Sequence, residues 1–236
     1  MTEETFEQEA WQILATRVLQ LEKQGLVTRT FRRLDPERQV DILDAILFEA
    51  AEKGPNQVNI SEVAHRAGVS VGSMYQYFPN RQGMIDFAID ISVNYMVDML
   101  QAYEPYLLAM PTFDALTAFV TGGVELTQTQ AGMLKFYSRA AYQGDPDLNE
   151  RVVKPIADGM LAIVTNILHQ ARQRSELSED LDIEAAARLV NALLIVSGDC
   201  QLFPYLNTYL HLNDAEVPAV RIMPALISLL QNGISK

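Results

Sequence analysis

Between Asn59 and Arg81 the sequence reads NISEVAHRAGVSVGSMYQYFPNR. Its polar side chains are of the kind that recognise by hydrogen bonding. On a helix beginning near Val71, a step of 100° per residue puts Met74, Tyr77 and Phe78 on one side and Gly72, Ser73, Tyr75 and Gln76 broadly on the other. Ser73 and Gln76 are short polar groups, and a Gln amide can pair bidentately with adenine in the major groove of a duplex. Gly72 lets the backbone come close to such a surface, Val71 offers a methyl contact, and Tyr75 can touch a thymine methyl or a phosphate. Ser70 and Arg81 flank the helix and suit phosphate oxygens, as do the amides of a helix N-terminus. Other chemistries find little support. His65, His169 and His211 are scattered and form no HExxH pair. No nucleophile elbow, Walker loop or dinucleotide glycine motif occurs, and Cys200 stands alone without a placeable base. Neither an enzyme nor a cofactor or metal site is expected.

These side chains need a scaffold. A short helix over Ser61–Ala67 is expected, with Asn59 and Glu62 spaced as in a capping box. A tight turn follows at Gly68-Val69-Ser70, where Gly68 takes a positive φ. A second helix then runs from Val71 to about Phe78. Small Ala64 allows a close crossing, and Val63, Ala67, Val69, Met74 and Phe78 make a small core: the pattern of a helix-turn-helix unit. A helix over 3–24 precedes it, with an apolar stripe of Phe6, Ala10, Ile13, Leu14, Val18 and Leu21 interrupted by Arg17 and a stop at Gly25. Next come a basic linker (Arg29, Arg32, Arg33), a helix started by Asp35-Pro36 and ended by Lys53-Gly54-Pro55, and a long helix over Arg81–Leu108, with Pro105 as the place for a bend. Further helices are expected near Phe113–Thr127, Ala131–Tyr142, Leu148–Arg174, Ile183–Leu202 and Val217–Gln231. With no strand pattern, the chain is expected to be all-α. It divides into an extension helix (1–28), a helix-turn-helix domain (29–85) and a helical domain (86–236).

The runs ILDAILFEAAEKG (Ile42–Gly54) and ISEVAHRAGVSVGSMYQYFPNR (Ile60–Arg81) resemble the DNA-binding domain of TetR-type transcriptional regulators. The resemblance covers about 45 residues at the family spacing; beyond it the chain is similar to the family only in being helical and of suitable length. It implies a homodimer that binds double-stranded operator DNA and carries an effector pocket in its helical core. By position, Val71, Gly72, Ser73, Tyr75 and Gln76 would face bases, Tyr77 and Arg81 phosphate. It departs from the family in having Val71 where a Lys is common and Ala50 where a Phe is usual. Many members also lack the extension helix.

The 236 residues are 49% hydrophobic and 20% charged, with a net charge of −12. That balance excludes disorder and, taken whole, counts against nucleic acid. Partitioned, it is −3 over 1–28, 0 over 29–85 and −9 over 86–236. The acidity therefore lies outside the reader, which is expected to show a shallow salt dependence. The Arg29–Arg33 stretch is either an arm reaching DNA or a solvated connector. The extension helix either packs on its own domain or contacts a partner. Met99, Tyr103, Phe119, Phe136, Tyr137, Met160, Asn166 and Asp199 are candidates for lining the effector pocket. Gly122-Gly123 marks a close approach or kink beside it. The acidic body favours a neutral or cationic apolar effector over a strong anion. Ile183–Leu202 is apolar all round and expected to be buried on several sides; with Ile156–Arg172 it is assigned to the dimer contact. A single Cys, an acidic polar N-terminus and no stretch of 18 charge-free apolar residues point to the cytoplasm and to no membrane partner. The competing reading is a helical ligand sensor or adaptor that has lost DNA binding.

Overall fold

The structure, a computed structural model, describes residues 16–212 and 216–234, and no β-strand occurs among them. Residues 3–15 of the expected first helix, with Phe6, Ala10, Ile13 and Leu14, lie outside the described residues. The chain forms two compact units, one of residues 1–95 and 135–153, the other of 96–134 and 154–236. Residues 135–153 thus pack with the N-terminal helices, whereas the linear division above groups them with 86–236.

In the first unit, α1 (16–23) buries Val18 and Leu21 completely and ends at Gly25, with φ +76°. Arg17, the interruption in its stripe, is no defect. Its guanidinium forks onto the Asp90 carboxylate, with Nε–Oδ1 2.5 Å and Nη2–Oδ2 2.7 Å. The basic linker is not an unstructured connector. Arg29–Arg32 forms a one-turn helix, α2, and Phe31 at its centre is fully buried. Phe31 lies against Phe87 (ring centroids 4.9 Å), Phe78 (5.2 Å) and Tyr77 (6.1 Å). Burying such a ring stabilises by about 1.5–3 kcal/mol, which anchors a segment too short to hold itself helical.

α3 (Pro36–Lys53) starts as its sequence dictates: the Asp35 side chain accepts from the Arg38 N–H, and Pro36 takes the first position. It buries Ile42, Leu43, Ile46, Leu47 and Ala50 and stops at Gly54, with φ +87°. A 3-10 turn (Pro55–Gln57) leads to α4 (Ile60–Arg66) and α5 (Val71–Tyr77), and α6 (Arg81–Leu108) follows with Pro105 inside it. α8 (Ala131–Gln143) and α9 (Pro146–Leu148) complete the unit, burying Phe136, Tyr137, Ala140 and Leu148. A π-helical turn (Asn149–Val153) joins α9 to α10, and its Arg151 bridges Asp86 and Asp147.

The second unit contains α7 (Thr112–Thr129), α10 (Lys154–Gln173), α11 (Ile183–Leu202), α12 (Pro204–Leu210) and α13 (Ala219–Ile234). α10 and α11 pack on one another, and α10 buries Ile163, Val164, Ile167 and Leu168 while α11 buries Ala187, Val190 and Leu194. Arg174 donates to the Met110 and Leu108 carbonyls, and the Thr112 N–H and hydroxyl donate to the Glu176 carboxylate, tying the α10–α11 connection to the start of α7. α11 is not enclosed as its composition led us to expect. It buries one face, and the opposite face leaves Leu189 68% and Leu193 45% exposed. One stretch, Pro146–Gln173, has the length and apolar composition of a membrane-spanning helix. It nevertheless carries Arg151, Lys154, Asp158 and Arg172 and buries an amphipathic face within the fold.

Candidate nucleic-acid interface

α4 and α5 form the expected pair. Ala67 ends α4, Gly68 takes φ +64°, and the Val69 N–H donates to the Ala64 carbonyl at 2.9 Å. Ala64 is 1% exposed, which fits the need for a small residue at the crossing. Arg38 of α3 reaches across and donates from Nη2 to the Gly68 carbonyl at 2.8 Å, fixing the turn from outside. Asn59 caps α4, but the full box does not form. Its side chain accepts from the Ser61 N–H, while its own N–H goes to Glu49 of α3, not to Glu62. Glu49 is nearly fully buried and also pairs with Lys53 at 2.7 Å.

α5 carries its own cap. The Ser70 hydroxyl oxygen accepts from the Ser73 N–H at 2.9 Å and lies 2.8 Å from the Ser73 hydroxyl. The two hydroxyls hold one another at the start of the helix. Met74 and Phe78 are buried, and Val71, Gly72, Tyr75 and Gln76 are exposed. A Cβ on Gly72 would meet only the Ser70 hydroxyl, at 3.6 Å, so packing does not require glycine there. Its bare backbone stands open to solvent. The C-terminal end is held by a residue that sequence reasoning missed. The Thr28 N–H donates to the Tyr77 carbonyl at 2.9 Å and its hydroxyl to the Gln76 carbonyl at 2.6 Å, two of the carbonyls a helix end leaves unpaired. The same hydroxyl caps α2 by accepting from the Phe31 N–H.

The structure therefore gathers Ser70, Val71, Gly72, Ser73, Tyr75 and Gln76 on one surface and gives the other predicted residues different positions. Tyr77 is 9% exposed and packs edge-on against Phe31. Arg81 donates from Nε to the Val58 carbonyl and from Nη2 to the Pro55 carbonyl, both at 2.8 Å, and so braces the loop before α4. Asn59 is a cap. No group of three or more His, Cys, Asp or Glu side chains arranged for a metal ion occurs among the described residues.

The second unit has an open groove of about 330 Å3 lined by Tyr103, Asp114, Thr117, Ala118, Thr121 and Gly122. Of the pocket candidates only Tyr103 lines it. Gly122 is its close approach, since a Cβ there would meet the Tyr103 ring at 3.5 Å. Met99, Phe119 and Met160 are half-buried elsewhere in the unit, Asp199 is buried, and Asn166 is exposed and donates to Glu104. Phe136 and Tyr137 are buried in the first unit.

Two short helices in this geometry, with a polar and glycine-bearing face on the second, define a helix-turn-helix DNA-binding protein. Residues 42–86 match the model of the bacterial regulatory proteins of the tetR family. The fatty acid metabolism regulator protein of Bacillus subtilis (strain 168) is 23% identical over 198 residues, spanning 84% of this chain and 95% of that one. The HTH-type transcriptional repressor KstR of Mycobacterium tuberculosis is 27% identical over 179 residues, spanning 65% and 80%. Among solved structures, the Bacillus subtilis regulator FadR in complex with stearoyl-CoA superposes with a TM-score of 0.62 at 22% identity, covering 83% of this chain and 98% of that one. Over residues 42–86 the chain carries a DNA-binding domain of the tetR family, and the protein is a DNA-binding transcriptional regulator.

Proposed function

We propose that the protein is a homodimeric repressor that reads a duplex operator with α5 and leaves it when a small apolar effector binds the second unit. One observation carries the reading: the outer face of α5 combines exposed Gly72, Tyr75 and Gln76 with half-buried Ser73 on a helix fixed at its start by Ser70, at its end by Thr28 and at the preceding turn by Arg38. A preorganised helix of this kind reads base edges without first paying to order itself. The same completeness leaves no support for a sensor that has lost its DNA-reading surface. α6 contributes residues to both units and is the lever through which an effector shifts the population of reading-competent dimers. Two α5 helices about 34–36 Å apart would enter successive major grooves. The dimer forms through Ile156–Arg172 and Ile183–Leu202; the exposed Leu189 and Leu193 support this, since a surface otherwise leaves large apolar groups scattered. It works in the cytoplasm, with the DNA.

The lining of the groove, one carboxylate and no basic group, favours a neutral or cationic effector over an anion such as the stearoyl-CoA of the Bacillus subtilis complex. In a thermal-shift screen, neutral or cationic apolar compounds should stabilise the protein; stabilisation by anions alone overturns this assignment. The reader is tested on the duplex recovered by selection from a random library. Gln76→Ala should lose about 1–3 kcal/mol of binding to it. An unchanged affinity removes Gln76 from the reading surface.

A further inference from the structure

Seven arginines lie between residues 16 and 95, and the structure commits five of them to the protein itself. Arg17 forks onto Asp90, Arg32 pairs with Glu22, and Arg38 donates to the Gly68 carbonyl and pairs with Asp41. Arg66 pairs with Glu52 and lies over the Phe48 ring, and Arg81 donates to two carbonyls. Of these seven, only Arg29 and Arg33 have guanidinium groups with no protein acceptor, and both are exposed.

Their placement is specific. They stand four residues apart, at the start of α2 and at its cap, so they share one helix face. Arg29 directly follows Thr28, whose N–H and hydroxyl hold the last carbonyls of α5, and two residues on Phe31 is locked among Tyr77, Phe78 and Phe87. The nearby carboxylates are occupied: Glu22 by Arg32, Asp35 by the Arg38 N–H and Asp41 by Arg38, with exposed Glu37 in the first turn of α3. Two charges that nothing in the protein uses are thus fastened to the C-terminal end of the helix that faces the bases.

We infer that α2 is a second DNA contact, with Arg29 and Arg33 gripping phosphates that flank the groove α5 enters. The inference rests on the DNA-reading function above and extends it to residues outside the helix-turn-helix. Backbone contacts of this kind position a protein and supply salt-dependent affinity without reading sequence. They also explain how a reader whose net charge is zero holds a polyanion: the cations that cancel its acids are mostly internal struts, and the free ones are concentrated on α2.

The test is fluorescence anisotropy of the full chain across a salt series, with the selected duplex and a random-sequence duplex of the same length. The Arg29→Ala/Arg33→Ala double variant should weaken both by a similar factor, about tenfold or more at physiological salt. Its log-log salt slope should fall by about 1.8 per protomer, and the preference for the selected duplex should persist. The Arg29→Lys/Arg33→Lys variant should keep the slope. If the wild type prefers the selected duplex but the alanine variant, with an unchanged melting temperature, keeps both slope and affinity, the inference is overturned and the reading by α5 stands. If the wild type has no preference between the duplexes, the DNA-reading function fails and takes the inference with it.

Discussion

At the scale of single residues, the proposed reading surface is held in place by groups that do not read. Gly68 occupies the left-handed region at φ +64°, where an L side chain costs about 1–2 kcal/mol. Gly68→Ala should lower the unfolding free energy by that amount in urea titration and loosen the grip of Arg38 on the turn. Glu49 is a carboxylate inside the small domain that accepts from the Asn59 N–H and from Lys53. Glu49→Leu should cost about 1–3 kcal/mol by removing the acceptor shared by the Asn59 N–H and the Lys53 ammonium. The hydrogen bond that Lys53 donates to the Glu49 carboxylate holds the ammonium above its ordinary pKa of 10.5. Because the folded value is raised, this contribution is fully present below pH 10.5 and is lost only as pH rises from there through the folded value. These partnerships were only half legible in the sequence. Gly68, Ser70 and the Asp35-Pro36 start are local signals, readable from neighbours in the chain. Glu49 replacing Glu62 as the partner of Asn59, and Arg81 bracing carbonyls at 55 and 58, depend on crossings between elements that spacing alone does not encode.

At the scale of elements, the same distinction recurs. α3, α4, α5, α6, α8 and α11 fall within a residue or two of their predicted bounds, because each is long enough for a helical stripe or is framed by caps. α2 and α12 were missed. A helix of four or seven residues shows no period, and what makes α2 helical is the docking of Phe31 and a contact between Thr28 and Gln76, 48 residues apart. Phe31→Ala should therefore cost about 3–5 kcal/mol and be read in the denaturation midpoint, with α2 and the end of α5 loosened together. α11 was read correctly in extent, and within one chain its apolar surface is only partly covered, with Leu189 and Leu193 left exposed. Its Cys200 is buried and its thiol is pushed up by burial, with Asp199 adding to the effect. Reaction with a thiol reagent at pH 8 should be slow in the native protein and rapid once it is unfolded.

At the scale of the whole molecule, the account requires two chains and one duplex. The exposed Leu189 and Leu193 are the clearest sign of the second chain. Leu189→Glu should yield a monomer by sedimentation and lose operator binding while retaining its helical spectrum; a dimer that survives the change moves the contact elsewhere. The net charge of −12 no longer opposes nucleic acid at this scale. It is spread over the rest of the chain, while the reader is neutral and its free cations sit on α2. The measurement that tests the central claim most directly is a hydroxyl-radical footprint of the protein on the duplex recovered by selection. The account predicts two protected half-sites related by a dyad and spaced by about one helical turn, both lost in Gln76→Ala at a concentration where the wild type protects fully. Protection spread evenly along any duplex, or retained in that variant, would contradict it.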